Sequence, residues 1–253
     1  MKENIHEKLT KLMRPYESTQ EVLDNISESY RAIQKILEDL VAPVKDTIKE
    51  ITKKKPWIRA LIVLGRVQYV EWEYLDNRYA KSVAESKTPN KLLLRKLQRN
   101  QYASTQVVID ACSRHIKMKP YKRLFRQAIE SFEKGQCELA VIGLTAVVDG
   151  LVSAVTDNPS TDLIKRIDPI MERIDDGKGY ADDRVFATAL VYTYSKMIET
   201  FSQYADFRSE EPILLNRHWI MHGRSTRRVT KLDCIKVIRL IYGTLLISDL
   251  IGL

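Results

Sequence analysis

One arginine and two histidines fall within the segment Asn216-Arg217-His218-Trp219-Ile220-Met221-His222-Gly223. Apolar residues flank them all round, from Ile213 to Met221, so the segment reads as a buried helix. A buried arginine is costly unless it is paired or has a task. On helical spacing, Ile213, Arg217 and Ile220 share one stripe, and Leu214, His218 and Met221 share the next. His222 stands just before a helix-ending glycine, where the helix dipole favours a charged imidazole. Such a histidine can hold or release a proton near neutral pH. Together these side chains could cleave RNA without a metal. Imidazoles would take the 2′-OH proton and supply one to the 5′-oxygen, and the guanidinium fork would pair with two oxygens of the phosphorane. One chain offers few such groups at one place, so a symmetric dimer apposing two motifs would complete the acid and base.

The surroundings are basic. From Arg217 to Arg239 seven cations (Arg217, Arg224, Arg227, Arg228, Lys231, Lys236 and Arg239) face a single acid, Asp233. Arg224, Arg227, Arg228 and Lys231 adjoin the motif and are candidates for RNA phosphate contact. The whole chain carries 41 Lys+Arg against 33 Asp+Glu, a net charge of +8. That excess suits a polyanion and equally suits an ordinary solvated surface.

Other chemistries lack their signatures. Cys112, Cys137 and Cys234 are widely spaced, which argues against a disulfide framework and for inert buried thiols. With four histidines, no HExxH and no CxxC, metal catalysis has little support, and no phosphate-binding glycine loop points to a nucleotide cofactor. The opening residues Met1 to His6 contain no apolar core of a signal peptide. The oily run Leu139 to Val148 stops at Asp149, short of the ~20 residues that span a bilayer. A cytoplasmic protein with no membrane partner is expected.

The elements that must position the motif are helical throughout, so the fold class is all-α. Ser18-Thr19-Gln20-Glu21 has the form of a capping box, followed by an Ile26, Tyr30, Ile33, Leu37, Leu40 seam closed by Pro43. One long helix is expected from Trp57 to about Glu85 and another from about Lys91 to Cys112. The basic stretch Ser113 to Pro120 reads as a junction between an N-terminal helical region, residues 1–115, and a C-terminal domain, residues 120–253. Within the latter, helices are expected over Tyr121–Lys134, Gln136–Thr156, Asp182–Phe207, Ser209–His222 and, after the cap Thr230-Lys231-Leu232-Asp233, as far as Ser248.

The segment Asn216-Arg217-His218-x-x-x-His222-Gly223 resembles the Arg-x4–6-His signature of the HEPN superfamily. Phe132-Glu133-Lys134-Gly135, Leu139-Ala140 and Leu144 to Leu151 are similar to that family's first helix pair. The resemblance covers about half the chain, from Tyr121 onward. It implies a helical bundle, a homodimer with a shared cleft and metal-independent endoribonuclease activity, commonly in toxin–antitoxin or anti-phage defence with a neutralising protein partner. Arg217 and His222 would be the catalytic pair, with Asn216 and His218 orienting groups around them. Asp149 occupies an acidic position that could hold Arg217. Arg224 stands where some relatives carry a tyrosine modified by a partner enzyme. The rival expectation is a non-catalytic helical module that binds RNA, a nucleotide or a protein, in which Arg217, Asp149 and His222 form a structural network.

Overall fold

The computed structural model describes residues 56–71, 77–158, 160, 162–167, 184–204 and 207–250. The capping box at Ser18 and the seam from Ile26 to Leu40 lie outside these residues. Among the described residues there is no strand, and the fold is all-α. Its helices are α1 (Pro56–Arg66), α2 (Asn77–Glu85), α3 (Pro89–Arg99), α4 (Ala103–Arg114), α5 (Lys122–Glu133), α6 (Cys137–Thr156), α7 (Arg184–Ser202), α8 (Arg217–Met221) and α9 (Lys231–Leu250). A 3-10 turn, Ile116–Tyr121, joins α4 to α5, and residues 163–167 form a further helical turn.

α6 is the centre of the bundle. α5 lies against one of its faces and α9 against another. Leu144, Val147, Val148, Leu151 and Val152 are sealed from solvent, each worth about 1.5–3 kcal/mol relative to exposure. The α5–α6 hairpin turns at Gly135, whose φ of +75° only glycine adopts without strain. α9 starts as its sequence predicts. Asp233 N–H donates to Thr230 Oγ1 at 3.3 Å, and Asp233 Oδ2 accepts from Thr230 N–H at 2.9 Å, a reciprocal cap. By length and composition α6 could cross a membrane, with a mean hydropathy of 2.0, yet half of that stretch is buried inside the bundle. Asp149 stands within this helix, as the expected span Gln136–Thr156 requires.

Three expected helices break or shift. The stretch from Trp57 to Glu85 leaves the helix at Arg66, because Gln68 turns into the left-handed region at φ +61°. Beyond it Glu71 is buried and meets Arg239 of α9 at 3.1 Å, each 1% exposed, and Lys96 of α3 at 2.9 Å. Removing one partner from so dry a pair costs about 3–5 kcal/mol, enough to hold Glu71 against α9 once the chain has left the helix. The stretch from Lys91 to Cys112 breaks at Gln101 and Tyr102, with φ of +49° and +59°. The helix expected from Ser209 starts only at Arg217.

Residues 55–253 form one compact unit. The division expected at 115–120 falls inside it, where α4 packs on α9 and the 3-10 turn packs on α6.

Candidate active site

The short helix α8 begins where it does because Asn216 caps it. The Asn216 side chain accepts from the N–H groups of His218 at 2.9 Å and Trp219 at 3.3 Å, and its own amide donates to the Gln203 carbonyl at 2.9 Å. The approach to the cap is held from far away. Gln68 Nε2 donates to the Leu215 carbonyl at 2.7 Å, and Leu215 N–H donates to Gln68 Oε1 at 3.0 Å. A buried side-chain amide thus imitates a strand neighbour and satisfies both backbone groups next to the motif. Upstream, Glu211 binds the loop that follows α8, accepting from Ser225 Oγ and from the N–H groups of Thr226 at 2.8 Å and Arg227 at 3.2 Å. Desolvation works against the Glu211 carboxylate, but these hydrogen bonds outweigh it and hold its pKa below the ordinary range.

These restraints correct the expectation that residues 209–222 form one buried helix. Ile213 is 93% exposed, so it forms no stripe with Arg217, and Met221 is partly exposed as well. Arg217 instead opens α8, and His222 follows its last residue, ahead of Gly223 at φ +63°. In so short a helix the macrodipole is small, so the dipole of a long helix does not act at this position.

Arg217 Nη2 lies 2.8 Å from Asp149 Oδ1. The same oxygen receives Arg166 Nη1 at 3.1 Å, and Arg166 also donates to the carbonyls of Asp149, at 2.8 Å, and Ser160. Asp149 therefore serves two guanidinium groups, and the trio keeps one net positive charge. The Arg217 side chain is 14% exposed, and its Nε is buried without a hydrogen-bond partner. Arg166 escaped the sequence reading. It sits outside any motif, in a turn that follows Pro159.

His218 lies within electrostatic reach of Arg217, and His222 follows it one turn on. Their rings are parallel, within 4°, and their centroids are 6.3 Å apart. His218 bonds to the Ser202 backbone, and Tyr204 stands edge-on to it at 6.4 Å. Burial first, and the Arg217 charge second, hold its pKa below the usual histidine value, so it is neutral at pH 7. His222 is exposed and meets the Phe207 ring edge-on at 5.5 Å, and Phe207 also packs edge-on to Trp219 at 5.3 Å. One chain thus presents two imidazoles and a guanidinium within six residues, on α8 and the residue that follows it.

The four candidate phosphate contacts scatter. Arg224 is exposed over the Phe207 ring at 5.5 Å, beside His222. Arg228 is exposed. Arg227 is drawn to Asp233 at 3.0 Å and supports the start of α9. Lys231 lies 4.1 Å over the Tyr102 ring and 5.5 Å from that of Phe132, at the end of the bundle where α6 begins. Asp149 is twelve residues along α6 from Cys137, ~18 Å, so Lys231 does not adjoin the arginine cluster. The cysteines are free and buried, and burial pushes the Cys112 thiol up to about 12. Among the described residues no three His, Cys, Asp or Glu side chains gather as a metal site would need. No family model, curated protein or solved structure matches the chain.

Proposed function

We propose that the chain is a HEPN-type, metal-independent endoribonuclease. The observation that carries the reading is the sharing of Asp149 by Arg217 and Arg166, which leaves net positive charge near the His218 imidazole, on which His222 stacks. A purely structural pair would need only one arginine for that carboxylate. In the reaction the 2′-oxygen attacks the adjacent phosphorus and the P–O5′ bond breaks. Exposed His222 moves the proton, and Arg217 stabilises the phosphorane oxygens. Asp149 aims Arg217. Asn216 fixes the start of α8, and neutral His218 offers a second proton acceptor. Arg224 and Arg228 guide the RNA backbone. The products carry 2′,3′-cyclic phosphate and 5′-OH ends, and no cofactor takes part.

A homodimer with the sites near its interface fits the α5–α6 hairpin. Leu139 is 61% exposed and Ile142 45%, and exposed Leu124 of α5 lies over Gly143 beside them. This apolar stripe continues along α6 through Ala146 to Asp149, which is ~10 Å beyond Ile142. The biological setting proposed is cytoplasmic toxin–antitoxin or anti-phage defence, with a protein partner restraining the activity.

The test is purified protein on cellular RNA in EDTA. Cyclic-phosphate ends are expected, and Arg217→Ala and His222→Ala should each remove cleavage without loss of fold. Equal cleavage by both variants overturns the assignment. The second reading, a non-catalytic RNA- or partner-binding module, draws on the engagement of Arg217 by Asp149. It predicts binding with no cleavage under any condition.

A further inference from the structure

Residues 111–129 hold six cations (Arg114, Lys117, Lys119, Lys122, Arg123 and Arg126) and no acid. Two of the six are engaged by carboxylates elsewhere, Lys117 with Asp249 at 3.2 Å and Arg126 loosely with Glu130 at 3.7 Å. Lys119, Lys122 and Arg123 are exposed at the step from the 3-10 turn into α5. Helix stability does not account for them. Cations in the first turn of a helix oppose its dipole, and α5 has no acid there to offset them.

The step is also fastened to the candidate site. Tyr121, in the middle of this cationic run, donates its hydroxyl to the Gly150 carbonyl at 2.8 Å. Gly150 follows Asp149, which holds Arg217. The contact is close enough that a Cβ on Gly150 would come within 2.5 Å of the Tyr121 ring, so only glycine admits the tyrosine. The free cations and the arginine cluster are therefore linked by one hydrogen bond, one peptide step and one ion pair.

We propose that Lys119, Lys122 and Arg123 form a track for the RNA backbone outside the cleavage site, gripping phosphates of the strand whose scissile group lies at Arg217. The occupant is chosen on charge complementarity. The choice of RNA rests on the ribonuclease reading, because the track is tied to the residue that holds the phosphate-binding arginine.

The experiment measures binding of a labelled, 2′-O-methylated single-stranded RNA, which cannot be cleaved, over a range of salt concentrations. The full-length protein is compared with the K119Q/K122Q/R123Q variant and with K91Q/R95Q/R99Q, which removes the same charge from exposed positions on α3. Each phosphate contact on a single strand contributes about 0.7 to the slope of log K against log salt, so losing three should flatten it by about 2. The expected result is that change in the first variant and little change in the second. Equal slopes in all three proteins, or equal changes in both variants, overturn the track. So does unchanged RNA binding with loss of binding to phosphatidylserine vesicles, which would make the surface a membrane contact. Cleavage by the native protein is scored separately. Cleavage with no change in slope defeats the track and spares the ribonuclease, and the reverse result defeats the ribonuclease alone.

Discussion

Replacing Arg166 tests whether its charge leaves Arg217 free to act. The guanidinium groups of Arg166 and Arg217 reach one oxygen of Asp149 at 3.1 and 2.8 Å. Their side chains are 7% and 14% exposed and that of Asp149 is 29% exposed, so an effective dielectric constant of about 20 is appropriate. A phosphate on the open side of Arg217 would lie about 8 Å from Arg166, and at that dielectric the lost attraction is about 2 kcal/mol. Arg166→Gln should then lower kcat/KM roughly 30-fold. Arg166→Lys keeps the charge and should stay within a few-fold of the native rate. Both variants lose the bonds to the Asp149 and Ser160 carbonyls, so both should be destabilised by about 1–3 kcal/mol. Denaturant unfolding gives the stabilities, and initial rates on a short RNA give kcat/KM. Equal losses of activity in the two variants would refute the charge argument and leave Arg166 a structural strut.

Gln68→Ala leaves the Leu215 N–H and C=O unmatched in a dry place. It should cost about 2–4 kcal/mol by denaturant unfolding and lower cleavage by displacing Arg217. Leu139→Glu with Ile142→Glu places charge on the exposed α6 stripe, and light scattering should show a monomer for this variant and the proposed dimer for the native chain. Glu211 has a depressed folded pKa, so its contribution to stability is full above the ordinary carboxylate value and is lost as pH falls through the folded one. The stability gap between the native protein and Glu211→Gln should therefore be widest near neutrality and shrink below about pH 4, as read by thermal melts.

Local signals carried the parts of the fold that local chemistry determines. Gly135 marks the α5–α6 turn, Thr230 and Asp233 cap α9, and the unbroken apolar run of α6 announces its central place. The resemblance pointed to Asp149 as a holder for Arg217, and the two side chains meet at 2.8 Å. What escaped notice depends on distant partners. Gln68, Gln101 and Tyr102 enter the left-handed region without being glycine, and nothing in their identity marks a break. The late start of α8 depends on an amide 147 residues upstream of Leu215. Arg166 declares its role only through the carboxylate it shares, and the track on α5 only through Tyr121.

The clasp between Gln68 and Leu215 also sets a schedule. A ribosome adding roughly 5–20 residues per second makes the glutamine some 7–30 s before the backbone it will grip. The arginine-bearing turn therefore meets an anchor already made, and on the ribonuclease reading proposed above the site closes only late in translation.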